Sequence, residues 1–142
     1  MLGKNNITTM AKREILFRGW NKKNKKWLYG YYFVNRGKHF IAPDEYVNPL
    51  ASYEDYVVET DTVGQYTGLK DAEGKKIFEG DIMVFYNDPH AIQYNEESSR
   101  FVAVQEEFPN IPFRIYQQVI NDLKSVVAGN IHEGSELIKT DK

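Results

Sequence analysis

Six basic residues, Arg13, Arg18, Lys22, Lys23, Lys25 and Lys26, lie around two tryptophans, Trp20 and Trp27. Lysines beside exposed aromatic rings can hold phosphates and stack bases. Arg18, Trp20, Lys22, Lys23, Lys25, Lys26 and Trp27 therefore form a candidate patch for nucleic acid or another partner. The competing reading puts the tryptophans in a core and the lysines in a solvated turn. It is the stronger of the two, because the acidic remainder of the chain repels a polyanion. A second polar group, Gln65, Thr67, Asp71 and Asp81, falls in a stretch dense in turn residues. There, Asp and Thr more often cap the local backbone than bind a ligand.

Other chemistries find little support. His39, His90 and His132 stand far apart, and none has HxH or HExxH spacing. Gathering them around a metal would require the fold to add a carboxylate. Glu96-Glu97 and Glu106-Glu107 read as solvated loop charges rather than catalytic carboxylates. No G-x-S-x-G occurs, and no glycine-rich phosphate loop ends in Lys-Ser or Lys-Thr. The expectation is a non-enzyme without catalytic residues, metal ligands or cofactors.

The elements that would position these groups read mostly as strands. Ile15 to Trp20 forms the first, and N-K-K-N-K-K, Asn21 to Lys26, a charged hairpin loop. Trp27, Tyr29, Tyr31 and Phe33 alternate with Leu28, Gly30, Tyr32 and Val34, which predicts a long second strand with the four aromatics on one face. Asn35 to Lys38 is a turn, and His39-Phe40-Ile41 a third strand, completing an N-terminal β-meander. Ala42 to Asp55 is loop-like around Pro43 and Pro49, and Tyr56-Val57-Val58 returns to strand.

The stretch from Asp61 to Tyr86 is the densest in structural signals. Thr62 to Tyr66 favours an extended segment, with Gly64 marking a bulge or a close backbone approach. Thr67-Gly68 breaks the run. Asp71-Ala72-Glu73-Gly74 reads as a β-turn, and Glu79-Gly80-Asp81 as a second, with Gly80 free to take positive φ. Ile82, Val84 and Tyr86 alternate with Met83 and Phe85, so both faces are apolar and the strand is expected to be central. Gly64, Gly68, Asp71, Gly74, Gly80 and Asp81 are thus expected as structural turn residues. Beyond it, Asn87-Asp88-Pro89 reads as a loop and Phe101 to Val104 as a strand. Ile115 to Leu123 also fits a helical stripe, leaving room for one short helix. Val126 to Ile131 closes the fold, bent at Gly129-Asn130, and Ser135 is placed to cap a final turn.

Composition bounds the reading. The 142 residues suit one domain over 13–142 behind a disordered extension at 1–12, and Met10 is a second candidate start. There is no cysteine, which removes disulfides, thiolate zinc sites and thiol nucleophiles and suits a reducing cytoplasm. No apolar run approaches a membrane span, and the first residues lack the apolar core of a signal peptide. The net charge is −2, but it is unevenly spread. Residues 1–40 carry ten basic residues against one acid, whereas residues 41–142 carry eight against nineteen. Pairing the basic hairpin of one subunit with an acidic surface of another would relieve both, so a homo-oligomer is expected.

V-G-Q-Y-T-G-L-K-D-A-E-G-K-K-I-F-E-G-D-I, Val63 to Ile82, resembles the hallmark of the YopX family of phage and prophage proteins. R-E-I-L-F-R-G-W (Arg13 to Trp20), W-L-Y-G (Trp27 to Gly30) and V-A-G-N-I-H-E-G-S-E-L (Val127 to Leu137) are similar to further blocks of that family. The resemblance spans Arg13 to Leu137, but Asn87 to Asn121 matches no pattern. It implies a mainly-β fold with an SH3-like barrel component. It implies no established activity, so it carries over no catalytic residue. The leading expectation is a cytoplasmic phage or prophage accessory protein that binds an unnamed protein partner or assembles. The alternative is a nucleic-acid-binding module that uses the basic hairpin.

Overall fold

The structure is a computed structural model that describes residues 12–43 and 51–133. The extension at 1–11, the segment 44–50 and the turn around Ser135 lie outside the described residues. The fold is mainly β: the described residues form two five-stranded antiparallel sheets and one short α-helix.

The first sheet grows from the meander. β1 (Phe17–Asn21) pairs with β2 (Lys26–Asn35), and β2 with β3 (Lys38–Pro43). Asn21 shapes the basic loop. Its Oδ1 accepts the Asn24 amide at 2.8 Å, and its Nδ2 donates to the carbonyls of Val57 at 2.7 Å and Glu54 at 3.1 Å. Arg36 and Gly37, at φ of 51° and 77°, form a two-residue turn suited to strand twist. β4 (Gly64–Lys70) lies against β1, and β5 (Lys76–Phe78) against β4, giving the order β3-β2-β1-β4-β5.

The second sheet holds β6 (Asp81–Phe85), β7 (Asp88–Asn95), β8 (Arg100–Val104), β9 (Phe113–Arg114) and β10 (Val127–Asn130) in the order β10-β6-β7-β8-β9. α1 (Gln117–Asp122) precedes β10. The helical stripe therefore prevails over strand in that segment, with Ile120 fully buried and Val119 and Leu123 packed beside it. The main core joins Ile77, Met83, Phe85, Ile92, Ala103, Ile115 and Ile120. A smaller one joins Leu28, Ile41 and Val58.

Several expectations need correction. Tyr56-Val57-Val58 is not a strand: Tyr53–Tyr56 is a 3-10 turn, and Val57 makes a single bridge to Phe40. Thr67-Gly68 does not end its strand. β4 runs on to Lys70, and the register jumps between the pairs Tyr66–Phe78 and Lys70–Lys76, a bulge containing Gly68. Asn87-Asp88-Pro89 shrinks to a two-residue turn, Tyr86-Asn87, because both residues adopt positive φ and let β7 start at Asp88. β6 is interior to its sheet, yet only Asp81, Met83 and Phe85 are buried, while Val84 is exposed. The closing strand bends as expected, with its register shift between Val127 and Gly129.

Gly80 has φ +93°, and a Cβ there would make ordinary van der Waals contact with Arg18, Ile131 and His132 but on a strained backbone. Gly80→Val is expected to lower stability by roughly 1–3 kcal/mol. A thermal melt superimposable on that of the parent protein would contradict this.

Candidate functional site

At the junction of the two sheets, Arg18 on β1 meets Asp81, the first residue of β6. Arg18 Nη1 lies 2.8 Å from Asp81 Oδ1, with the side chains 6% and 1% exposed. The other Asp81 oxygen accepts the Phe78 amide at 2.7 Å. The guanidinium carbon sits 4.8 Å from the Trp27 ring centre and 5.1 Å from that of Phe78. Burial pushes the Asp81 carboxyl up, while Arg18 and the Phe78 amide draw it back. Asp71 is a second buried anchor. Its Oδ1 accepts the amides of Glu73 and Lys75, and its Oδ2 accepts that of Val127, each between 2.9 and 3.0 Å. Burial raises its pKa, but the three amides outweigh it and the net shift is downward. Asp71 thus closes the Asp71–Gly74 turn, where Gly74 has φ +87°, and ties that turn to β10. Neither aspartate faces solvent.

The basic block is split. Trp20 is buried, its amide donates to Thr62 Oγ1 at 2.8 Å, and its ring meets Trp27 edge-on at 5.6 Å. Trp27 is half-buried, and Lys22, Lys23, Lys25 and Lys26 are exposed on the hairpin loop. Arg18 and Trp20 therefore do not share a surface with the lysines. Lys23 lies 2.9 Å from Asp55, whose carboxylate also accepts from Asn24 and the Ser52 amide. Lys23, Asn24 and Ser52 hold Asp55 at about 2.

Two surfaces stand out beside the hairpin. Tyr29, Tyr31 and Phe33 project from one face of β2 and are 46%, 55% and 47% exposed. Phe33 stacks on Phe40, with centroids 5.0 Å apart, and Tyr53 tilts against Phe40. A shallow apolar groove of about 290 Å³ runs between Phe33, Phe40, Pro43, Tyr53 and Tyr56. The register places the buried side of β2 at Leu28, Gly30 and Tyr32.

The second surface is a polar cleft of about 720 Å³ between β4 and the β7–β8 hairpin. Gln65 and Thr67, from the polar group noted in the sequence, line it together with Arg13, Glu79, Tyr94 and Arg100. Thr67 is already committed: its hydroxyl donates to the Ile77 carbonyl and accepts the Leu69 amide. Gly64, at the start of β4, is held by contact: a Cβ there would overlap the Glu79 carbonyl oxygen. Tyr94 and Arg100 belong to the region where the sequence carried no readable pattern. Arg13 carried only a charge signal.

The histidines are dispersed. His39 Nδ1 is 2.6 Å from the Tyr32 hydroxyl, and His90 Nδ1 is 2.8 Å from the Asp88 carbonyl, while the His132 ring lies 6.1 Å from that of Trp27. Among the described residues, no three of His, Cys, Asp or Glu form a group that could hold a metal ion, and no helix is long and apolar enough to cross a membrane.

The family model described as YopX protein matches residues 16–139. This chain belongs to the YopX family. No curated protein matches it. Among solved structures it is similar to protein EF1440 from Enterococcus faecalis, at 27% identity and a TM-score of 0.51, over 90% of this chain and 100% of that one. The match includes the turn-rich stretch from Val63 to Ile82, which holds the Asp71 and Asp81 anchors.

In this YopX chain, His132 is held below the usual imidazole value by burial first and then by the charge of Arg18, with Asp61 opposing. A folded pKa below the unfolded one means the unfolded chain takes the proton first. Stability is therefore lost as pH falls through about 6.5. Asp71, also depressed, adds a further loss below about pH 4 by the same sign. Denaturation midpoints from pH 8 to 5 should fall for the parent protein and stay flatter for His132→Gln. Parallel curves would contradict the assignment.

Proposed function

We propose that this YopX-family protein is a non-catalytic binding or assembly factor of phage or prophage origin, acting in the cytoplasm through contacts between proteins. The observation that carries this reading is the row of half-exposed aromatics on β2. Tyr29, Tyr31 and Phe33 stand beside the apolar groove that reaches Tyr53. Rigid aromatic side chains on a sheet bury large area at little entropic cost, which suits them as interface anchors. A homo-oligomer is the simplest product of such a face. Because Lys23 is paired with Asp55 of its own chain, apolar contact rather than charge would supply most of the association energy. A second reading uses the exposed hairpin lysines 22, 23, 25 and 26 beside Trp27 as a nucleic-acid contact. It is the weaker one, since Arg18 and Trp20 are taken into the interior. As to the fold, we read β4–β8, wrapped on the main core, as the SH3-like component.

Light scattering tests the leading reading. At micromolar concentration in low salt the parent protein should have an oligomeric mass that moderate salt lowers little. Tyr31→Ser combined with Phe33→Ser should shift it to monomer while leaving the melting temperature within a few degrees. A monomeric parent protein would reject self-assembly, and an oligomer indifferent to both substitutions would reject this face.

A further inference from the structure

We propose that the cleft between β4 and the β7–β8 hairpin binds a phosphomonoester carried on a planar ring, of which a nucleoside monophosphate is the simplest example. The first reason is charge. Arg13 and Arg100 are remote in sequence yet line one cleft, and neither guanidinium has an acidic partner among the described residues. Two guanidiniums lining one concavity favour an anion there, and their fork geometry matches phosphate oxygens.

The second reason is the wall. Tyr94 and Phe101 face each other across the β7–β8 ladder, their rings edge-to-face with centroids 5.2 Å apart. Tyr94 is still 45% exposed, so an aromatic face remains for a ring to stack on. Ser99, in the loop between them, has φ +54° and lines the cleft as the turn residue that leads the chain into β8. That loop is braced, since Asn95 Oδ1 accepts both the amide and the hydroxyl of Ser98 at 2.9 Å.

The third reason is a carboxylate. Gln65 and Glu79 also line the cleft, and the Glu79 carboxylate accepts the Gln65 backbone amide at 3.3 Å. A carboxylate lining the same cleft as two arginines disfavours a bare polyanion. It suits a ligand that presents a phosphate at one end and hydroxyls at the other, because a carboxylate accepts from sugar hydroxyls. A volume of about 720 Å³ is ample for such a molecule.

The test is titration followed by backbone amide NMR, using inorganic phosphate, adenosine, adenosine monophosphate and a short single-stranded oligonucleotide as probes. Adenosine monophosphate should move the resonances of Gln65, Ser99 and Arg100 and bind at least about tenfold more tightly than phosphate or adenosine alone. Arg100→Gln changes only an exposed side chain at the ladder's end and should weaken it about tenfold, with the spectrum otherwise that of a folded protein. Arg13→Gln should do the same from the other wall. Any of four outcomes would overturn the proposal: no saturable binding at millimolar monophosphate, equal affinity for phosphate and monophosphate, indifference to both arginine substitutions, or binding of the oligonucleotide alone.

Discussion

The buried ion pair between Arg18 and Asp81 is the contact on which the two sheets depend. Removing both charges from water is costly, and the pair offsets that cost only through its surroundings. The guanidinium is sandwiched between Trp27 and Phe78, and the carboxylate holds the Phe78 amide as well as the arginine. Arg18 Nη2 adds a contact to the Glu79 carbonyl at 3.5 Å, while Nε is left without a partner among the described residues. This geometry ties β1 of the first sheet, β5, and the head of β6 in the second into one body.

That constraint explains why the surrounding residues are what they are. Gly80 bends the chain so that Asp81 can point back at Arg18 and the Phe78 amide. The Gly80 carbonyl also accepts the Ile131 amide at 2.9 Å, which brings the closing strand and His132 to the same junction. Gly64 must lack a side chain because β4 passes directly over the Glu79 carbonyl. With this centre spent on structure, the exposed aromatic face of β2 and the cleft beside β4 lie away from it, at the periphery.

Much of the fold was legible. Alternation from Trp27 to Val34 gave the second strand and its two faces, because a half-buried antiparallel strand must show period two. Asp71 and Gly74 announced a turn, and Gly80 a positive φ, since few other residues serve there. What could not be read was long-range. Nothing local in R-G-W says that Arg18 turns inward to meet a residue 63 positions later, so it looked like surface charge beside its lysine neighbours. Trp20 and Trp27 are on one face by register, yet only the packing decides that one is covered and the other half-open. The cleft was hidden for a similar reason. Arg13, Gln65 and Arg100 are unremarkable singly, and their meeting depends on the β7–β8 hairpin folding over β4.

The most direct test is a double-mutant cycle on the junction, with Arg18→Met, Asp81→Asn and the pair measured by equilibrium denaturation. Asn at 81 keeps an oxygen for the Phe78 amide and turns its NH2 toward Arg18, so the cycle reads the whole Arg18–residue 81 coupling. Each single substitution should cost about 3–5 kcal/mol by stranding a buried charge, and the double should be markedly less destabilised than the two singles summed. Single costs under about 1 kcal/mol, or strictly additive losses, would contradict the account.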